Sequence, residues 1–235
     1  MKYIPSIAFE EMSGSAKGVT AAKSRGRKYI RNKGTGSHVR TAAQSSVKSI
    51  FRQLSQSWKS LTNEQIMAWT QLAQSQAGRS VLGTSSKITG ANLYMRLNYW
   101  IVFCGGTALT TPPTLRGVEA PSDAEIVLNP TTFTFTLAAN PTGANKADLK
   151  MVIMASAPQS NGVSNAYAKA TAIGDLQTAE VDELNIKAAY DAKYGTPSDA
   201  APKVFVKWLY VDSKTGEVSG EKMKVVKLAA AAPTT

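Results

Sequence analysis

"TFTFTL", Thr132–Leu137, alternates polar and apolar residues without a break. A period of two puts Phe133, Phe135 and Leu137 on one face and the threonines on the other, the pattern of a half-buried β-strand. Working outward, "LKMVIMASA" (149–157), "PKVFVKWLYV" (202–211) and "EKMKVVKL" (221–228) are further runs rich in β-branched and aromatic residues. Between the last two, "DSKTGEVSG" (212–220) reads as a hairpin turn with Gly216 available for positive φ. One helical segment interrupts the strands at about residues 185–194, and Gly195 stops it. Roughly 115 residues of short strands separated by turn signals predict a β-sandwich of immunoglobulin or fibronectin type over residues 113–228. With Cys104 as the one cysteine, no internal disulfide forms, which favours the fibronectin-like variant. "AAAAPTT" (229–235) reads as a low-complexity tail.

Upstream, "TALTTPPTLRG" supplies two prolines and several threonines, and residues 108–112 read as a linker. Before it lies a helical segment, residues 43–107. Val47, Ile50, Phe51, Leu54, Trp58 and Leu61 recur at spacings of three and four, so one apolar stripe runs along a first helix. Thr62 then opens "TNEQ", a capping box in which the Thr62 hydroxyl accepts from the Gln65 amide while the Gln65 side chain reaches back. Ile66, Trp69, Leu72 and Ala73 continue a second amphipathic helix, so the two helices form a hairpin. A third helix is expected over 91–104, with Leu93, Leu97, Trp100 and Ile101 on it. Trp58, Leu61, Thr62, Trp69 and Trp100 are the expected packing residues. Because Trp100, Ile101 and Phe103 cannot share one side of a helix, part of that surface should seek a neighbour.

The charge is placed unevenly. The chain of 235 residues carries a formal net charge of +11, yet residues 1–107 hold fifteen basic and three acidic side chains while residues 108–235 hold twelve and thirteen. Residues 1–42 show no sustained apolar period and are punctuated by glycines, so they read as an extended basic arm with a short strand or two. Lys17, Lys23, Arg25, Arg27, Lys28, Tyr29, Arg31, Lys33 and Arg40 are its candidate partner-contact residues. Such an arm binds phosphates irrespective of sequence, or it is held by acidic grooves on another subunit. The expected class is therefore α+β: an extended arm, a small three-helix segment and a C-terminal sandwich.

Catalytic chemistry finds few supports. "GSAKGVT" lacks the Gly-Lys-Ser/Thr order of a Walker A loop. His38 stands alone in the basic arm, which leaves a zinc-peptidase motif and a histidine triad without their partners. Cys104 reads as a small apolar residue at a helix end. Glu180, Asp182 and Glu183 read as favourable charge near the start of the 185–194 helix rather than a calcium loop. No cofactor and no metal is expected, and the chain reads as a non-enzyme. "MKYIPSIAFEEM" lacks the apolar core of a signal peptide, and the uncharged run 97–115 is too broken by Asn98, glycines and prolines to span a bilayer. A soluble protein with no membrane partner is expected.

"SGSAKGVTAAKSRGRKYIRNKG", then "QSWKSLTNEQIMAWTQLA", then "TGANLYMRLN" resemble a family of tailed-phage and prophage structural proteins. Those carry a glycine-rich basic arm, a Trp-x-x-Leu-Thr-x-Glu-Gln helical hairpin and a Gly-x-Asn-Leu helix. The matching positions are Trp58, Leu61, Thr62, Glu64, Gln65 and Trp69, then Gly90, Asn92 and Leu93. "MASAPQSNGVSNAYAKA", "IKAAYDAKYG" and "KVFVKWLYVDSKTGE" are similar to the β-domain of Bacteroidetes-associated members. The resemblance implies a virion protein assembled in the host cytoplasm, an oligomeric part of a neck or tail ring or a capsid accessory. Its implied partners are copies of itself and portal, tail or capsid proteins. The alternative is a virion cargo protein whose arm coats DNA.

Overall fold

The structure, a computed structural model, describes residues 13–16, 18–24, 27–32, 41–78, 86–174, 177–178 and 183–229. The chain divides into two units, residues 1–93 and 94–235.

In the first unit, β1 (Gly14–Ala16), β2 (Val19–Ser24) and β3 (Arg27–Asn32) form an antiparallel sheet in that order. Over these residues the expected extended arm is instead a paired meander. Val19, Thr20, Tyr29 and Ile30 supply strand-forming side chains, and Gly18 (φ 102°) supplies the left-handed backbone that turns β1 into β2.

Two helices follow, α1 (Ala42–Ser60) and α2 (Asn63–Gln74), and both start with the same device. The Thr62 hydroxyl accepts from the Gln65 amide at 3.3 Å, while the Gln65 side-chain carbonyl accepts from the Thr62 amide at 3.0 Å. Thr41 and Gln44 repeat this at 3.2 and 3.3 Å. Each box satisfies two backbone donors that a helix start otherwise leaves open. Leu54, Trp69 and Ala73 are fully buried. A short antiparallel pair, β4 (Ala77–Gly78) and β5 (Ser86–Lys87), precedes α3 (Gly90–Phe103). A Cβ at Gly90 would stand 2.7 Å from Thr70 Oγ1 and 3.0 Å from Thr70 Cα, so only glycine lets α3 begin this close to α2.

The second unit holds the remaining elements: β6 (Ala124–Leu128), β7 (Phe133–Leu137), β8 (Leu149–Ala155), β9 (Thr171–Ala172), β10 (Gln177–Thr178), β11 (Leu184–Asn185), α4 (Lys187–Tyr194), β12 (Lys203–Asp212) and β13 (Lys222–Lys227). They make two antiparallel sheets, β6-β7-β11 and β10-β8-β12-β13, with β9 also on β8. The chain is thus mixed α+β. One core joins the sheets: Ile126, Phe133 and Phe135 from the first, Met151, Ile153, Val206 and Trp208 from the second, and Tyr190 from α4. Tyr190 stands edge-on to Phe133 and donates its hydroxyl to the Ser156 carbonyl at 3.0 Å. The α4 helix ends at Gly195, whose φ of 76° closes its last turn.

The sheets differ in how they are covered. Burial alternates along β6 and β7, as for strands with one wet face. Along β8 and β12 it is nearly continuous, because both faces are dry. On the face away from the shared core, Val152, Leu209 and Val211 are covered by Trp100, Phe103 and Cys104 of the α3 end.

Part of the third helix's apolar surface, expected to seek a neighbour, thus finds cover within the chain itself. Asn98, fully buried, donates to the Tyr94 carbonyl at 3.1 Å and accepts the Leu109 amide at 2.5 Å, which ties the expected linker to α3. The turn between β12 and β13 closes from the other side. Asp212 Oδ1 accepts the Lys214 and Thr215 amides at 2.8 and 3.1 Å, and its carbonyl accepts the Gly216 amide at 2.8 Å. Gly216 (φ 72°) meets α3 so closely that a Cβ there would stand 2.1 Å from the Leu97 carbonyl oxygen.

Candidate functional site

The basic segment is the first candidate. From Met12 to Asn63 no aspartate or glutamate occurs, so the meander's own sequence is uniformly basic. Register assigns its side chains to faces, since directly opposed residues of an antiparallel pair point the same way. Arg31 opposes Thr20 and Tyr29 opposes Ala22, while Ser15 opposes Thr20 on the next strand. Alternation along β3 then puts Arg27, Tyr29 and Arg31 on one face with Ser15, Thr20 and Ala22. The Ser15 and Thr20 hydroxyls meet at 2.8 Å on that face. The other face carries Val19, Ala21, Lys23, Lys28, Ile30 and Asn32, with Lys23 directly opposite Lys28. Like charges so placed cost stability. Arg27, Arg31 and Lys23 are exposed, and Lys28 and Tyr29 are half-buried. Of the nine arm residues singled out in sequence, Lys17, Arg25, Lys33 and Arg40 lie outside the described residues, as does His38.

The helical residues do not form one set. Trp69 is fully buried, Trp58 and Leu61 are half-buried, and Thr62 caps α2, all in the first unit. Trp100 belongs to the second unit, where it stands edge-on to Tyr99 and Phe103 at 5.3 and 5.5 Å between ring centroids. Along α1 only Leu54 is buried, and the same stripe leaves Val47 38% and Phe51 45% exposed.

The second unit offers a further depression of about 510 Å³ lined by Arg116, Val118, Glu119, Gly143 and Asn145. Its polar groups bind one another. Arg116 bridges Asp212 at 2.7 Å and Asp148 at 3.2 Å, Glu119 accepts the Gly143 amide at 3.2 Å, and Asn145 donates to the Gly117 carbonyl at 3.2 Å. The Glu217 carboxylate accepts the Arg116 and Gly117 amides at 2.8 and 3.2 Å. These contacts hold residues 116–117 to the β12–β13 turn and leave no arranged nucleophile and base there. Burial pushes the Cys104 thiol above its ordinary pKa, with Lys150 opposing and Asp212 adding, which favours the unreactive thiol. Among the described residues, no group of three or more His, Cys, Asp and Glu side chains could hold a metal ion, and no helix is long and apolar enough to cross a membrane. Of the acidic trio, Glu180 and Asp182 lie outside the described residues, and Glu183 is exposed.

Three structural features were missed from sequence. The Thr41 cap was readable as Thr-x-x-Gln before the apolar stripe. The Gly216–Leu97 and Asn98–Leu109 approaches have no local signal at all. No protein-family model and no curated protein matches the chain.

Proposed function

We propose that the chain is a structural subunit of a tailed-phage virion, an oligomeric component of a neck or tail ring or a capsid accessory, with no catalytic role. The observation that carries this is the half-covered α1 stripe. An amphipathic helix that buries Leu54 yet leaves Val47 and Phe51 substantially exposed favours a protein contact along its length. The acid-free meander beside it in sequence supplies the charged part of such a contact, and the resemblance of the arm, hairpin and Gly-x-Asn-Leu helix supplies the phage setting. An antibody against the chain, applied to gradient-purified particles, should label them at a symmetric position. Particles that lack the chain would sink the virion reading. Val47→Ser combined with Phe51→Ser should block incorporation while leaving the isolated chain folded.

The second unit acts in this reading as an immunoglobulin-type sandwich that braces or projects. Strands β6, β7 and β11 follow the order A-B-E, and β8, β12 and β13 follow C-F-G, with β9 and β10 alongside β8. The departure is α4, which stands between the E and F positions. Nuclear Overhauser contacts between β7 and β11, with none between β11 and β8, would check the order.

A further inference from the structure

We propose that the face of the β2–β3 hairpin bearing Arg27, Tyr29 and Arg31 binds the phosphate backbone of duplex DNA. The inference stands on strand register and survives failure of the virion reading. Three observations point the same way. First, this face carries donors suited to phosphate: two guanidinium groups, the Tyr29 hydroxyl and one of the two hydroxyl protons of the bonded Ser15–Thr20 pair. Second, no aspartate or glutamate occurs in the sequence from Met12 to Asn63. Third, the scale fits. Four residues of strand set Arg27 and Arg31 roughly 13–14 Å apart, close to the ~12 Å width of a major groove, which admits a two-stranded ribbon.

The opposite face is chemically different. Val19, Ala21 and Ile30, with Asn32 opposite Val19, occupy one end, and lysines occupy the other. Bidentate guanidinium contacts suit carboxylate as well as phosphate, so the choice of duplex DNA rests on the match between strand length and groove width. A single tyrosine among hydroxyl donors also fits a phosphate contact better than a base-stacking platform, which uses successive aromatic rings.

The experiment is fluorescence anisotropy of the full chain with a labelled duplex and the matching single strand, across a salt series. Duplex affinity should fall linearly with salt on logarithmic axes. Arg27→Gln with Arg31→Gln should lower the slope by about 1.8, two phosphate contacts' worth. Lys23→Gln with Lys28→Gln, the same charge change on the other face, should lower it by less than half as much. Tyr29→Phe, which removes one hydroxyl donor, should weaken duplex binding about threefold. Equal losses from the two pairs would overturn the face assignment. Tighter binding to the single strand, with Tyr29→Phe silent and Tyr29→Leu damaging, would replace phosphate contact with stacking. Competition by polyglutamate as effective as DNA, charge for charge, would assign the face to an acidic protein, and no salt-dependent binding would end the proposal. Should the arginine pair be needed for the hairpin to fold, amide exchange of the wild-type chain decides instead. DNA should protect residues 19–24 and 27–32, and unchanged exchange there overturns the idea.

Discussion

Replacing Gly216 by alanine tests whether the end of α3 lies against the β12–β13 turn. Two terms add. At φ 72° an L-residue pays a left-handed penalty of roughly 1–2 kcal/mol. The new Cβ also lands 2.1 Å from the Leu97 carbonyl oxygen, 2.6 Å from its carbon and 2.9 Å from its Cα. These are backbone atoms in mid-helix, so they cannot swing aside as a side chain would. The helix and turn must separate, loosening Trp100 and Phe103 from the β8–β12 face, at about 1–3 kcal/mol more. The expected loss is about 2–5 kcal/mol in total. Gly105→Ala is the internal control. Its φ is 82° in the left-handed cap that ends α3, but no heavy atom lies within 4 Å of the new Cβ, so it carries the first term alone. The small entropic benefit of alanine in the unfolded chain is common to both and cancels in the difference. Urea unfolding followed by far-ultraviolet circular dichroism and tryptophan fluorescence gives both values on the second unit's transition. If the two variants lose stability equally, within about 0.5 kcal/mol, the turn at Gly216 does not touch α3 at Leu97.

Trp69→Ala should cost about 3–5 kcal/mol in chemical denaturation, and Trp58→Ala less than half of that, because Trp58 is only half-buried; equal losses would contradict the assigned faces of the hairpin. Thr41→Ala and Thr62→Ala should each lower stability by about 1 kcal/mol through a lost cap, measured the same way, and a change below a few tenths at either site would deny the capping box there. A fragment of residues 113–228 should be far less stable than one of 94–229, since it uncovers Val152, Leu209 and Val211, worth about 4–8 kcal/mol as an upper estimate; matching denaturation midpoints would show that α3 contributes nothing. Burial holds the Tyr190 and Tyr210 hydroxyls above the ordinary tyrosine pKa. Folding therefore retains protons that the unfolded chain releases near pH ~10, so this stability is intact below that value and is lost as pH rises beyond it. Ultraviolet titration should show these two among eight tyrosines ionising only with unfolding, and simple titration of all eight would refute it.

What the sequence made legible was whatever depends on neighbours a few residues apart. "TFTFTL" is β7 because its period is two, "TNEQ" caps α2 because the pairing spans three residues, and Gly195 ends α4 because only that backbone turn is needed. Even the meander had a local signal, since Gly18 and Gly26 each close a two-residue interval between strand-forming runs. The charge of the candidate face was equally plain in composition. Which arginines share a face was not, because that follows from pairing register. The place of α3 was hidden for a similar reason. Trp100 and Phe103 look partnerless along the helix, and their partners Val152, Leu209 and Val211 stand roughly 50–110 residues later. The continuous apolar runs of β8 and β12 were the one clue that a second cover existed, since a strand with one wet face alternates.

The order of these elements along the chain has a consequence during synthesis. The apolar end of α3 leaves the ribosome before any strand it covers, and β12 follows roughly a hundred residues later. At about 5–20 residues per second, Trp100 and Phe103 wait on the order of 5–20 s for Leu209 and Val211 to emerge. Throughout that interval the nascent chain shows an aromatic helix end with nothing to close on. A chaperone that engages it there, or a changed translation rate between β8 and β12, should therefore alter the yield of folded chain.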